Sequence, residues 1–201
     1  MSWIKTISYD NATGRLRKLY DRVKGPDNNV DNVMMMHSLR PHSMVGHMHL
    51  YKNVLHNTNN TLPKWYLEAL GVYVSFLNKC NYCFEHHFSG MARLMTDKDQ
   101  SDAYRAAVIA DDLSTVLDAQ YLEGARYASL LTFDASDITE SDIDQLRSVG
   151  FDDGEILEIN QVVSYFNYVN RMVVGLGVTT KGDIIGLSPG NNNDESDWGH
   201  G

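Results

Sequence analysis

Apolar residues recur along this chain at helical rather than strand spacing. Leu16, Leu19, Tyr20 and Val23 share one helical face, and Gly25-Pro26 ends that segment. A short helix is expected over residues 31–39, before Pro41, and a second Met-rich helix over 42–56, followed by the polar loop NTNNT. Leu62-Pro63 opens the next helix, because proline suits a first turn, and it runs through WYLEALGVYVSFL towards Asn78. A further helix carries the cysteines to about Met95. Others are expected over 99–111 and 113–131. SDIDQLRSVG starts with a Ser/Asp cap and stops at a glycine, and a last long helix covers 154–176. No convincing alternating strand appears. VVSYF leans towards β locally but lies inside a long amphipathic pattern. The expected class is all-α.

Two helices echo each other. Val74-Ser75-Phe76-Leu77-Asn78 matches Val163-Ser164-Tyr165-Phe166-Asn167 at a constant offset of 89. That offset sets Cys80 opposite Val169 and Cys83 opposite Met172, so the second copy has the helix without the chemistry. Residues 1–187 are expected to form one all-helical domain. Residues 188–201, SPGNNNDESDWGHG, are expected to be a flexible Gly/Asn-rich tail that is disordered or drapes over a neighbour.

Charge and composition narrow the setting. The 201 residues carry a net charge of −9, with 17 basic against 26 acidic side chains, which argues against nucleic acid as a partner. No stretch approaches the ~20 apolar residues needed to cross a bilayer. MSWIKTISYDNATGR lacks an apolar run with a small-residue cleavage site, so no secretory signal is expected and the cytoplasm is the expected location. In a reducing compartment, a close cysteine pair points to catalysis or metal binding rather than to a structural disulfide.

Both cysteines lie in NKCNYCFEHH, residues 78–87. Haem attachment of the c type needs His directly after the second cysteine, and Phe84 stands there. A structural zinc site usually takes two ligand pairs, and only one is present, although Cys80, Cys83, His87 and Glu68 would make a mixed set. Two inert buried thiols are the bland alternative. A redox pair explains more. With Asn78 as N-cap, Cys80 and Cys83 fall in the first helical turn, where unpaired N–H groups stabilise a thiolate. Positions 80, 83 and 87 share one face, which brings the His87 imidazole over the thiols. Glu68, among Leu67, Ala69 and Leu70, ends a proton relay if it faces inward.

Glu68, Cys80-Asn-Tyr-Cys83 and His87 together resemble the signature of the alkylhydroperoxidase D-like family, within the carboxymuconolactone decarboxylase-like superfamily. The flanks LYDRVKGPDNNVDNVMMMHSLRPHSMVGHMHLY and FDDGEILEINQVVSYFNYVNRMVVGLGV are similar to its peroxidase-related branch. The resemblance implies an alkylhydroperoxidase D-like helical bundle with duplicated halves, and a homo-oligomer (trimer, or dimer/hexamer). It implies thiol peroxidase or disulfide reductase activity on a hydroperoxide, with an unidentified dithiol or protein electron donor. On that pattern Cys83 is the peroxidatic cysteine, Cys80 the resolving thiol and proton donor, and Glu68 and His87 the relay, with no cofactor and no metal. This sequence departs from the best-known members at Tyr82, where they carry His. Two other readings stand beside it: a non-catalytic redox-responsive adaptor, and a carboxymuconolactone decarboxylase-like lyase, whose chemistry does not use paired thiols.

Elsewhere, His37, His42, His47 and His49 are expected in capping or packing roles, and His86 points away from His87 on a helix. Met34, Met35, Met36, Met44 and Met48 suit a core or a subunit interface. Asn167, Asn170 and Arg171 are expected to satisfy polar contacts on a largely buried helix.

Overall fold

The computed structural model describes residues 2–200. Among these residues the regular elements are helical: α1 (Gly14–Val23), α2 (Asn32–Met35), α3 (Pro41–Leu55), α4 (Lys64–Leu77), α5 (Asn81–Met95), α6 (Lys98–Ala110), α7 (Ala119–Phe133), α8 (Glu140–Ser148) and α9 (Asp153–Gly175). The all-α expectation holds. An isolated antiparallel bridge between Pro189 and His200 is the one extended pairing among them. None of these helices is long and apolar enough to cross a membrane.

Local chemistry sets several boundaries. The helix expected over 113–131 is a short 3-10 turn at Leu113–Thr115 followed by α7, because the Asp118 carboxylate accepts the Tyr121 N–H at 3.0 Å and caps a new start. Asp152 and Glu155 close a capping box at the head of α9. The helix expected over 31–39 shrinks to one turn of α-helix.

α4 is the centre of the bundle. Ten consecutive residues, Tyr66 to Ser75, are buried, as in a helix apolar on every side. It packs most extensively on α5, then on α9 and α7. Gly71 makes the α4–α9 approach possible, since a Cβ there would overlap the Phe166 ring. The two echoing segments meet across this interface: Asn78 Nδ2 donates to Asn167 Oδ1 at 3.0 Å, joining the very positions the offset of 89 equates. Met34, Met44 and Met48 fill the core as expected.

The residues expected to form a flexible tail lie against the bundle. Trp198 is 1% exposed, with the Arg22 guanidinium 3.5 Å above its ring and His49 set edge-on to it. Lys52, buried beneath, donates its ammonium to the Gly190 carbonyl. Apolar burial of the indole and these polar ties hold the segment in spite of its glycine and asparagine content.

Candidate active site

The sequence placed the start of the cysteine helix at Asn78. The structure moves it two residues on. Asn78 is the last residue of α4's turn, Lys79 takes a left-handed conformation (φ 57°), and Cys80 is the cap of α5. The Lys79 N–H donates to Phe76 O and the Cys80 N–H to Ser75 O, the pair of bonds that closes a helix through a left-handed residue. Glycine usually fills such a position, and a side chain there costs about 1–2 kcal/mol. This turn reverses the chain, so α5 folds back along α4 and its thiols face the helix that carries Glu68.

The two sulfurs are 2.9 Å apart, and both cysteines are buried and free. Their environments differ. The Cys83 thiol beside Cys80 holds it below the ordinary thiol range, and the Cys83 backbone N–H and the Asn170 amide act in the same direction. Burial pushes Cys83 well above that range, and Cys80 adds to the effect. The helix-start N–H of Cys83 lowers both thiols, as expected, but burial outweighs it at Cys83, so the net lowering is seen at the capping residue Cys80. Asn170, expected only to satisfy polar contacts, also donates to Ser75 Oγ at 3.1 Å and so links α9 to the end of α4.

Cys83 lines a cavity of about 40 Å³ together with Glu68 and His87. His87 Nδ1 and Glu68 Oε2 are 2.7 Å apart, with the Glu68 side chain 3% and the His87 side chain 14% exposed. Glu68 thus faces inward from α4, as the relay required. The Phe166 ring meets the His87 ring edge-on at 4.6 Å and fixes its plane. Tyr51 and Tyr165 stack at 5.5 Å and form another part of the wall.

Sequence reasoning missed the other side of this cavity. His86, expected to point elsewhere, lines it too, stacked on Tyr82 at 4.5 Å. Tyr82 does not occupy the place of a free proton shuttle. Its hydroxyl donates to Asp183 Oδ2 at 2.7 Å and accepts the Val33 N–H at 3.2 Å. Asp183 also accepts from the Asn32 backbone at 3.0 Å and lies 3.5 Å from His86 Nε2. Asp31 pairs with His200 at 3.2 Å, and both line the cavity. Nothing in local spacing announces Asp31, Asp183 or His200, because they arrive from segments remote in the chain. Of the four early histidines, His47 reaches the cavity and is driven down to about 3 by burial. His37 bonds Ser43 Oγ at 2.9 Å, while His42 and His49 are exposed. On the opposite side, Cys80 borders a separate, more open groove of about 300 Å³ with Phe84 and Arg105. Among the described residues, no three His, Cys, Asp or Glu side chains are arranged to hold a metal ion.

No protein-family model matches the chain, and no curated protein matches it. Solved structures do. The alkylhydroperoxidase AhpD core of an uncharacterized peroxidase-related protein from Ralstonia eutropha JMP134 superposes with a TM-score of 0.77 at 20% identity, covering 89% of this chain and 91% of that one. An uncharacterized peroxidase-related protein from Silicibacter sp. TM1040 gives 0.75 at 23% identity, with the same coverage. These superpositions, over an all-helical chain, show that it has the alkylhydroperoxidase D-like fold.

Proposed function

We propose that this chain is a thiol-dependent peroxidase that reduces a hydroperoxide through a Cys80–Cys83 dithiol/disulfide cycle. One observation carries the reading: a thiol 2.9 Å from a second thiol lines the same small cavity as a buried, hydrogen-bonded carboxylate–imidazole pair. Cys83 is the thiol in that cavity, so it takes the peroxidatic role. Its raised pKa means that its proton must be removed, and two acceptors are at hand, the Cys80 thiolate and the His87–Glu68 pair.

The Cys83 thiolate attacks one peroxide oxygen, and the O–O bond breaks. The sulfur becomes a sulfenic acid and the other oxygen leaves as an alcohol or water after taking a proton. Cys80, the lower of the two thiols and therefore the more ionised, then attacks the Cys83 sulfur. The S–O bond breaks, hydroxide takes the second thiol proton and leaves as water, and a disulfide remains. A dithiol donor returns two electrons and two protons. Tyr82 is tied to Asp183 and takes no part in this proton path. The protein acts in the cytoplasm as a homo-oligomer. Exposed Leu157 and Tyr168, eleven residues apart and so on one face of α9, suit contact with a second copy.

The test is steady-state consumption of hydrogen peroxide with dithiothreitol as donor, beside Cys83→Ser and Cys80→Ser. Turnover lost in both variants supports the cycle. Turnover retained in both contradicts it. A wild type that forms a reversible disulfide without turnover points instead to the adaptor reading.

A further inference from the structure

The proposed peroxidase site has an outer wall made by the C-terminal segment. Gly186, Leu187, Ser188 and His200 line the cavity together with Cys83. Four ties hold this wall in place: Asp183 to Tyr82, Asp31 to His200, Arg93 to the Gly186 carbonyl, and Lys52 to the Gly190 carbonyl. Trp198 anchors the end of the segment in the bundle.

The space behind the wall is about 40 Å³. A water needs about 10–15 Å³ by this measure, so the cavity holds a guest of only a few heavy atoms. Its lining is also polar in a specific way. Asp31 Oδ1, His47 Nδ1 and His200 Nε2 are buried on residues that line it, and none has a hydrogen-bond partner among the described residues. Buried polar atoms are normally satisfied, so these leave hydrogen-bonding capacity for a small polar guest. A hydroperoxide with an aromatic or long acyl group brings apolar bulk that this space does not admit.

We propose that residues 186–200 make the Cys83 site selective by size, admitting hydrogen peroxide and excluding bulky organic hydroperoxides. This rests on the peroxidase reading and names its substrate class. Trp198 and His200 are the specificity-determining residues: they hold the wall without taking part in the thiol chemistry.

The experiment compares kcat/KM for hydrogen peroxide and cumene hydroperoxide in the wild type, Trp198→Ala and His200→Ala, each checked for fold by circular dichroism. The wild type is expected to favour hydrogen peroxide by tenfold or more. Opening the wall is expected to raise the cumene hydroperoxide value at least tenfold in both variants, and Trp198→Ala, whose side chain does not line the cavity, is expected to move the hydrogen peroxide value less than threefold. His200→Ala removes a smaller buried side chain than Trp198→Ala, and its ratio of cumene hydroperoxide to hydrogen peroxide values decides the matter if Trp198→Ala does not fold. Equal wild-type values for the two peroxides, or a ratio unchanged in the folded variants, would overturn the proposal. Thiol alkylation separates this claim from the activity itself. Modification of Cys83, read by mass spectrometry, is expected to be fast with iodoacetamide and slow with fluorescein maleimide in the wild type, with the gap closing in the variants. That result supports a size filter even if no peroxide is turned over. Equal rates for the two reagents in the wild type would contradict it.

Discussion

Glu68 Oε2 and His87 Nδ1 lie 2.7 Å apart across the α4–α5 interface, nineteen residues apart in the chain and both largely removed from water. A carboxylate bonded to one ring nitrogen fixes the tautomer and orientation of the imidazole, which is what a proton acceptor for a buried thiol requires. Glu68→Gln keeps the shape and removes the charge. It is expected to lower kcat/KM for hydrogen peroxide about 10²-fold at neutral pH, the usual scale for general acid–base help. Urea denaturation is expected to shift by less than about 2 kcal/mol, the scale of one altered hydrogen bond. Activity within threefold of wild type would remove the pair from the mechanism.

Cys80 is the thiol held below the ordinary range, chiefly by the Cys83 thiol beside it, so it is assigned to resolve the sulfenic acid on Cys83. In Cys80→Ser one oxidising equivalent is expected to leave Cys83 as a sulfenic acid that dimedone traps, giving a single adduct by mass spectrometry. The wild type is expected to give little adduct, because the disulfide closes first. An adduct on Cys80 in Cys83→Ser, with none on Cys83 in Cys80→Ser, would exchange the two roles.

Burial drives His37 down to about 4 and His47 to about 3. Both are neutral in the folded protein well below the ~6.5 at which the unfolded chain takes up protons. Between those values the unfolded state binds more protons, so stability is complete above pH ~6.5 and falls as the pH drops towards 4. Each histidine contributes a slope of about 1.4 kcal/mol per pH unit. Urea midpoints measured at pH 7.5, 6.5, 5.5 and 4.5 are expected to be level across the first two and then to fall steeply. A midpoint constant down to pH 5 would show that these rings are protonated in the folded state.

Gly71 and Phe166 set the distance between α4 and α9. Gly71→Ala puts a methyl where the ring lies, and helix propensity recovers at most about 1 kcal/mol. Overpacking of this kind costs about 1–3 kcal/mol. A net loss is expected in thermal or urea unfolding. Because Phe166 braces His87, a fall in kcat is expected with it. A more stable Gly71→Ala protein would mean that the ring moves aside freely.

Helices were legible because their apolar positions recur with a period that strands do not share, and α1, α3, α4 and α9 lie close to where that period put them. The dithiol and its neighbours can be picked out together because Cys83 and His87 sit within one helix, Cys80 caps it and Glu68 lies in the helix before it. Glu68 and His87 meet, as spacing and resemblance implied. The start of α5 was read too early, since Asn78 is as good at ending a helix as at beginning one, and the left-handed Lys79 carries no glycine to announce it. Residues 188–201 read as a flexible tail because composition reports polarity, not the burial of one tryptophan. Asp31, Asp183 and His200 stay hidden for a related reason, since long-range contacts alone bring them to the cavity, whereas His86 stands one helical turn from Tyr82 and Cys83 and its i,i+4 spacing to Tyr82 is a signal that could have found it.

The central claim is that peroxide oxidises this dithiol. Fully reduced protein, mixed with one equivalent of hydrogen peroxide in the absence of donor, gives the most direct reading. Free thiols are expected to fall from two to zero per chain as one peroxide is consumed, with an intramolecular Cys80–Cys83 link in the peptide map and no such loss in Cys83→Ser. Two thiols remaining per chain while the peroxide persists would contradict it.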